Sequence, residues 1–249
     1  MAYFSRSLIL FRSFTVAALV AALGGIPERA TAAETSAEPE VNVHFTVFSA
    51  VAISGLGFRA KPDAAPTSVA FYPTARSPRY AYTGTNPLQF LSIPTTTADG
   101  AVSEAKVMAE VTFAPTIREA FLLFESMMPA AKDGMRYRVY VLDDSAVRQA
   151  PGMLTLVNLS GLPLNGSAGR SFVNLRDTLV APFTIGRSAK VELRVPYAGR
   201  SYPAYTDTIE LESGERALLI LFPPFRAGSL EVQSRLLIDK PADAEPEKR

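Results

Sequence analysis

The chain has 249 residues, and its 25 basic and 24 acidic side chains leave a formal net charge of +1. This balance excludes the basic surplus with which nucleic-acid-binding proteins contact phosphates. Cysteine is absent, which excludes disulfide bonds, thiolate metal sites, a cysteine nucleophile and a lipid-modified cysteine. With 19 prolines and 15 glycines the chain has little room for long helices, so short strands joined by turns are favoured.

The first 33 residues have the order of a secretory signal. Two arginines precede an apolar stretch at 14–26, and Ala30 with Ala32, or Thr31 with Ala33, satisfy the small-x-small rule of a cleavage site. We therefore predict export and removal of residues 1–33, which takes away three of the 25 basic and one of the 24 acidic side chains and leaves a net charge of −1. The alternative is a retained membrane anchor, because residues 8–11 lengthen the apolar region toward the roughly 20 residues of a spanning helix.

Short acidic segments flank the remainder of the chain. Residues 34–40 and 241–249 are polar, and we predict that both are disordered because they cannot bury enough apolar surface. Between them, apolar and polar residues alternate with a period of two, as in 41–48, 136–142 and 189–195. Alternation of this kind predicts antiparallel strands with one buried face.

Two stretches about a hundred residues apart have similar sequences. An offset of 98 residues superposes 111–124 on 209–222, and it matches Arg118 with Arg216 and Leu123 with Leu221. The neighbouring segments agree in order and rough spacing: 137–144 resembles 232–239, and 45–58 resembles 154–166. An internal repeat explains this similarity, and chance resemblance between two β-rich segments is the alternative.

The repeat decides one local ambiguity. Taken alone, 117–127 also fits a short helix, because Thr116 and Glu119 are spaced as a capping box before an apolar run. The counterpart at 216–222 cannot continue as a helix, since two prolines follow it directly. We therefore predict a buried central strand in both copies.

A polar connection at 143–152 separates the two copies. The fold expected from these patterns is all-β, with two tandem antiparallel β-sandwich (Ig-like) domains after the signal peptide. We place the first domain at 41–148 and the second at 149–240, each with about seven strands.

One histidine and one cluster of three polar residues are candidates for a functional role. His44 is the only histidine, and the alternation places it on the polar face of the first strand, so we interpret it as an exposed strand residue. Asp143, Asp144 and Ser145 follow a strand and could bind calcium. Their spacing departs from that of a calcium loop, and such residues also form turns with their own backbone, which is the interpretation we favour.

Tyrosines collect in two segments that contain proline and glycine, 72–84 and 196–207. The candidate ligand-binding residues are Tyr80, Tyr82, Arg200, Tyr202 and Tyr205, because tyrosine rings offer an apolar face and a polar tip. Packing and strand propensity at sheet edges are the alternative explanation.

No sequence motif marks a nucleophile, a pair of catalytic acids or a metal-ligand set. The acids of a glycosidase are recognised by their separation in space, which a sequence does not display. We therefore predict no catalytic residue, no metal site and no cofactor, and a hydrolase is the lowest-ranked alternative.

The stretches "YRVYVLDDSAVRQAPGMLTLVNLSGLPLNG" and "ESGERALLILFPP" resemble uncharacterised exported envelope proteins of Gram-negative bacteria. The resemblance covers mainly residues 137–224 and implies tandem β-sandwich units in the periplasm or at the cell surface. We expect a non-enzymatic structural or interaction protein, whose partners are envelope proteins or surface glycans. We expect neither nucleic-acid binding nor a membrane span after signal cleavage. A carbohydrate- or small-ligand-binding module is the alternative.

Overall fold

The computed structural model describes residues 40–61, 63–95, 102–176 and 179–241, and these contain sixteen strands and no helix. The first eight are β1 (Glu40–Ser49), β2 (Leu56–Phe58), β3 (Thr67–Ser68), β4 (Tyr80–Thr85), β5 (Leu88–Ser92), β6 (Val107–Val111), β7 (Glu119–Ser126) and β8 (Tyr137–Asp143). The other eight are β9 (Met153–Asn158), β10 (Leu164–Ala168), β11 (Ser171–Leu175), β12 (Leu179–Thr184), β13 (Ser188–Tyr197), β14 (Arg200–Glu210), β15 (Arg216–Phe222) and β16 (Gln233–Asp239).

Each set of eight strands forms two four-stranded sheets. In the first sandwich, inner sheet 1 has the order β4-β1-β7-β8 and outer sheet 1 the order β3-β2-β5-β6. In the second sandwich, inner sheet 2 has the order β12-β9-β15-β16 and outer sheet 2 the order β11-β10-β13-β14. Every strand of the second set occupies the place of the strand eight positions earlier, so the two halves share one topology. The predicted all-β class with two sandwich units is confirmed, although each unit has eight strands rather than seven.

Two strand pairs are parallel, whereas the sequence predicted antiparallel pairing throughout. β1 runs parallel to β7, and β9 runs parallel to β15. Parallel neighbours need a long connection between them, and five intervening strands supply it in each sandwich. Alternation in a sequence reports which face of a strand is buried and does not report the direction of its neighbour.

The segment that also fitted a helix is strand β7. It lies between β1 and β8 in inner sheet 1, and five consecutive residues from Ala120 to Phe124 are buried. β15 holds the matching central place in inner sheet 2 and is buried from Arg216 to Leu221. Both strands are covered on both faces, which explains why their apolar runs are continuous.

The offset predicted between these two strands is one residue too long. Phe45 and Leu154 are aligned by sequence, and both face the core of their own sandwich. Phe45 pairs with Ala120 and Leu154 pairs with Ala217, so Ala120 corresponds to Ala217. Leu123 therefore corresponds to Ile220 and not to Leu221. A slip of one residue exchanges the two faces of a strand. A run that is apolar on both faces contains no alternation that could have prevented this error.

The first core, between inner and outer sheet 1, is rich in aromatic rings. Phe45, Phe58, Phe90 and Phe124 lie inside it, and the Phe90 and Phe124 centroids are 5.0 Å apart in an edge-to-face arrangement. The second core, between inner and outer sheet 2, consists of leucine, valine, isoleucine and alanine at its fully buried positions. Burial of these side chains is the main stabilising contribution to both sandwiches.

A third apolar cluster joins the two sandwiches. The faces of inner sheets 1 and 2 that point away from their own cores pack against each other. The buried members of the cluster are Phe48, Phe121, Leu123, Leu142, Val157, Leu159, Leu218, Ile220 and Leu237. The order of layers is therefore outer sheet 1, inner sheet 1, inner sheet 2 and outer sheet 2.

Several predictions concern residues outside the described part of the chain. These are the signal peptide at 1–33, most of the flank at 34–40 and most of the tail at 241–249. The predicted boundary at 143–152 coincides in position with the connection from β8 to β9. Within the described ranges, no helix is long and apolar enough to cross a membrane.

Candidate functional site

The first pair of candidate tyrosines, on β4, is turned into the first core. The Tyr80 ring lies 5.5 Å from that of Phe45, and its hydroxyl accepts a hydrogen bond of 2.8 Å from the Ala70 N–H. Tyr82 is only 3% exposed, and its hydroxyl donates to the Thr85 carbonyl at 2.6 Å. Both rings therefore pack as part of the sandwich rather than on an exposed ligand surface.

A groove with a volume of about 970 Å³ runs beside β4. Tyr82, Thr83 and Gly84 of β4 line one part of it, and the loop after β2 contributes Arg59 and Lys61. Glu40 and Asp63 also border the groove, so it carries side chains of both charges. This mixture suits a ligand with hydrogen-bonding groups along its length better than a purely apolar one.

Gly84 allows the loop after β2 to approach β4. A Cβ atom at this position would lie 2.6 Å from the Ala60 carbonyl oxygen and 2.7 Å from the Tyr82 hydroxyl. Both distances are shorter than a carbon atom tolerates, so a larger residue would push the loop away. The wall of the groove thus depends on a glycine in the middle of a strand.

β4 is an edge strand with a row of backbone groups that face away from its neighbour. The His44 N–H bonds the Arg118 carbonyl on the β7 side, so Val43 directs its backbone groups toward β4. Val43 pairs with Tyr82, and backbone directions alternate along a strand. The N–H and C=O groups of Ala81 and Thr83 therefore point to the open edge, where the described residues supply no further strand.

The second pair of candidate tyrosines belongs to the other sandwich. Tyr202 and Tyr205 are half-buried on β14, and Arg200 is exposed at the start of that strand. Burial, together with the neighbouring carboxylate of Asp207, raises the pKa of Tyr205 to about 12, and its hydroxyl lies 3.4 Å from that carboxylate. The five predicted residues are thus divided between β4 and β14 rather than joined in one surface.

The acidic residues after β8 have two different roles. Asp143 accepts a hydrogen bond of 3.0 Å from the Ser145 N–H, which is the turn that the sequence favoured. Asp144 instead lies between the sandwiches, where it contacts Arg76 at 2.7 Å and Arg216 at 2.9 Å. No group of three or more histidine, aspartate or glutamate side chains in the described ranges could hold a metal ion.

Arg216 and Asp239 complete this buried charge network. The Arg216 side chain is 4% exposed, contacts Asp239 at 3.0 Å, and donates to the Asp144 carbonyl at 2.8 Å. Arg76 reaches Asp239 at 3.3 Å, and its guanidinium lies 4.7 Å from the centre of the Phe121 ring. Two arginines and two aspartates therefore balance their charges at the contact between the sandwiches.

Sequence reasoning missed the two arginines of this network. Arg76 lies in an irregular stretch before β4, and its pairing with Asp144 joins residues 68 positions apart. One signal was present: the alignment of 137–144 with 232–239 already placed Asp144 opposite Asp239. Arg216 also stands out in the sequence, because it opens an otherwise apolar strand. Nothing in the sequence shows that the two aspartates meet at this arginine.

His44 lies on β1 between β4 and β7. Its side chain is 43% exposed, and its Nδ1 atom is 3.6 Å from the Glu119 carboxylate. Glu119 also contacts Arg79. These side chains form a partly exposed polar cluster on the strand surface, so His44 lies on the polar face of β1 as predicted but is half-buried rather than fully exposed.

Comparison with protein-family models gives no match, and comparison with the sequences of curated proteins gives none either. The geometry of β4 and its groove is therefore the basis of a functional proposal.

Proposed function

We propose that the protein is a non-enzymatic interaction module that works outside the cytoplasm, in the periplasm or at the cell surface. Its partner is an envelope protein that contributes an extended segment, and this segment adds to the open edge of β4. The observation that carries the proposal is the row of outward backbone groups at Ala81 and Thr83 beside the groove. Strand addition to such an edge is a common mode of peptide recognition.

β4 differs from most other edges of the four sheets. Natural proteins protect sheet edges with charges, prolines, bulges or very short strands. β12 and β14 each contain a proline and a register shift, β3 has two residues, and β6, β8 and β16 contain charged residues. Only β4 and β11 have none of these features among the described edge strands. β4 is the longer of the two and adjoins the groove.

The groove provides space for the side chains of an added strand. Side chains of a strand alternate between two sides, so those on one side of the segment would enter the groove. Lys61 borders the groove on the side of positive charge and suits an acidic residue of the segment, whereas Glu40 and Asp63 suit a basic one. The backbone supplies affinity in this mode, and the groove supplies selectivity.

A heptapeptide display library selected on the full chain tests the proposal. Selected peptides are expected to lose much less affinity for Thr83→Ala than for a proline variant, because alanine removes one groove-lining side chain but leaves the edge N–H in place. Thr83→Pro removes that N–H without breaking a bond to β1, so we expect at least a tenfold loss of affinity. Equal binding to Thr83→Pro, or the absence of any enriched peptide, would contradict strand addition.

A carbohydrate or another small polar ligand in the same groove is the second candidate. The observation that favours it is a groove lined by side chains of both charges together with Tyr82 and Thr83. The buried Tyr82 ring cannot serve as the stacking platform that glycan sites commonly use, which places this candidate second. A screen of neutral and acidic oligosaccharides by thermal shift distinguishes the two. A shift that Lys61→Ala abolishes and Thr83→Pro preserves would favour the small ligand.

A further inference from the structure

The contact between the two sandwiches is formed by the same positions of each repeat. The registers that equate Phe45 with Leu154 and Ala120 with Ala217 fix the correspondence for all the central strands. Four residues of inner sheet 1 and their four equivalents in inner sheet 2 belong to one buried cluster. The equivalent residues are Phe48 and Val157, Phe121 and Leu218, Leu123 and Ile220, and Leu142 and Leu237.

The buried charges follow the same rule. Asp144 and Asp239 occupy equivalent positions after Asp143 and Ile238, which pair with Ala120 and Ala217 respectively. Both carboxylates contact the same guanidinium nitrogen of Arg216, at 2.9 Å and 3.0 Å. A residue and its equivalent meet in this way when two units are related by a local two-fold axis, as in an isologous contact.

Two threonines add an independent sign of this symmetry. Thr46 pairs with Phe121, and Thr155 pairs with Leu218, so the two threonines are equivalent. The hydroxyl oxygen of each is buried with no hydrogen-bond partner among the described residues. The outward faces of the two inner sheets thus match both in their apolar residues and in one buried hydroxyl oxygen at the same position.

We infer that the outward face of each inner sheet is a self-recognition surface, and that its partner is the equivalent face of a second copy of this unit. A contact in which the same patch serves both partners is isologous, the arrangement found in symmetric homodimers. Within one chain the partner is supplied by the other repeat. When intrachain pairing is prevented, the faces pair between two chains, and each chain exchanges repeats with its neighbour.

The connection between the repeats explains why intrachain pairing prevails. β8 ends at Asp143 and β9 begins at Met153, so the second face is held close to the first. A short connection gives a high effective concentration, which outcompetes a second chain in dilute solution. The turn at 146–148 is exposed and can accept an insertion.

A rigid spacer in this turn tests the inference with the full chain. Four Glu-Ala-Ala-Ala-Lys copies are largely helical and span roughly 30 Å, which keeps the two faces of one chain apart. We expect light scattering to give the mass of two chains. A flexible Gly-Ser insertion of the same length is the matched control and should remain a single chain, because it lets the faces meet.

A substitution added to the rigid-spacer chain tests whether the outward faces of the inner sheets form the contact between the two chains. Leu218→Asp places a charge in the contact, so in the rigid-spacer chain it should abolish the two-chain particle while circular dichroism still reports β structure. A folded rigid-spacer chain that stays monomeric would overturn the inference, and so would a two-chain particle that survives Leu218→Asp.

A cleavage experiment gives a separate measurement that needs no spacer. A protease site replaces the turn at 146–148, and the cut protein is mixed with an isotopically labelled sample of itself. Native mass spectrometry should detect particles built from two copies of the same half, one labelled and one unlabelled. Recombination that yields only pairs of a first with a second sandwich would count against self-recognition.

Discussion

The two sandwiches share one topology but fill their cores with different side chains. Outer sheet 1 is built from strands of two to five residues, whereas the strands of outer sheet 2 have five to eleven residues. The strands of outer sheet 1 therefore supply fewer buried side chains than those of outer sheet 2, and residues between strands, such as Ile53, Val69 and Phe113, complete the first core. Aromatic rings also bury more surface per residue than aliphatic chains do. The comparison teaches that strand order tolerates a change from an aromatic to an aliphatic core, provided that the volume between the sheets is filled.

Removal of the charged residue that begins the central strand should change the free energy of unfolding by very different amounts in the two repeats, and this is the largest effect we expect. Arg216 begins β15, and its equivalent at the start of β7 is Glu119. Arg216→Ala leaves Asp144 and Asp239 buried with Arg76 as their remaining cation, so we expect a loss of about 3 kcal/mol in the free energy of unfolding. Glu119 is half-buried, with its side chain 34% exposed, so solvent screens its ion pair with Arg79 and Glu119→Ala should cost about 1 kcal/mol or less. Urea denaturation of both variants measures the difference.

A double variant that removes the charge of Arg216 and the charge of its partner Asp239 is the control for this measurement. The combination of Arg216→Ala with Asp239→Asn removes one unpaired charge and should recover part of the lost stability. If Arg216→Ala costs no more than Glu119→Ala, the network does not stabilise the contact between the sandwiches.

An exchange of core residues sharpens the comparison of the two cores. Phe124 and Leu221 are equivalent, and both are almost fully buried. Phe124→Leu removes edge-to-face contacts with Phe71 and Phe90 and leaves space, at a cost of about 1–3 kcal/mol. Leu221→Phe overfills the aliphatic core at a similar cost. Guanidinium denaturation checks both values, and a neutral Leu221→Phe would mean that the second core has room for a ring.

Sequence alone predicted the all-β class, the repeat and the central strands, because alternation and turn residues are local signals. Strand β1 and its equivalent β9 were aligned in the register that the structure has, since their polar and apolar positions are distinct. The register of β7 against β15 was wrong by one residue, because both strands are apolar on both faces. Residue type alone cannot assign a leucine to one face or the other.

The candidate site was only partly accessible to sequence reasoning. Tyr82 does line the groove, but its ring packs against Phe58 in the core, and no sequence pattern distinguishes a packing tyrosine from a binding one. The open edge of β4 depends on which strands pair, and this is decided by contacts far apart in the chain. Arg76 and Asp144 illustrate the same limit, because their contact exists only once the two sandwiches have packed together.

Substitution of the two equivalent threonines by valine should change the free energy of unfolding least, and should raise it rather than lower it. The hydroxyls of Thr46 and Thr155 are buried without a hydrogen-bond partner in the described residues, and a buried polar group in that state is destabilising. Valine has nearly the same shape and lacks the hydroxyl, so Thr46→Val and Thr155→Val should each raise the free energy of unfolding by about 1 kcal/mol. Thr83→Val, at an exposed position of β4, should leave it nearly unchanged. Urea denaturation measures all three. Similar gains at the two buried positions would support equivalent surroundings in the two repeats, whereas a loss at either would mean that its hydroxyl has a partner after all.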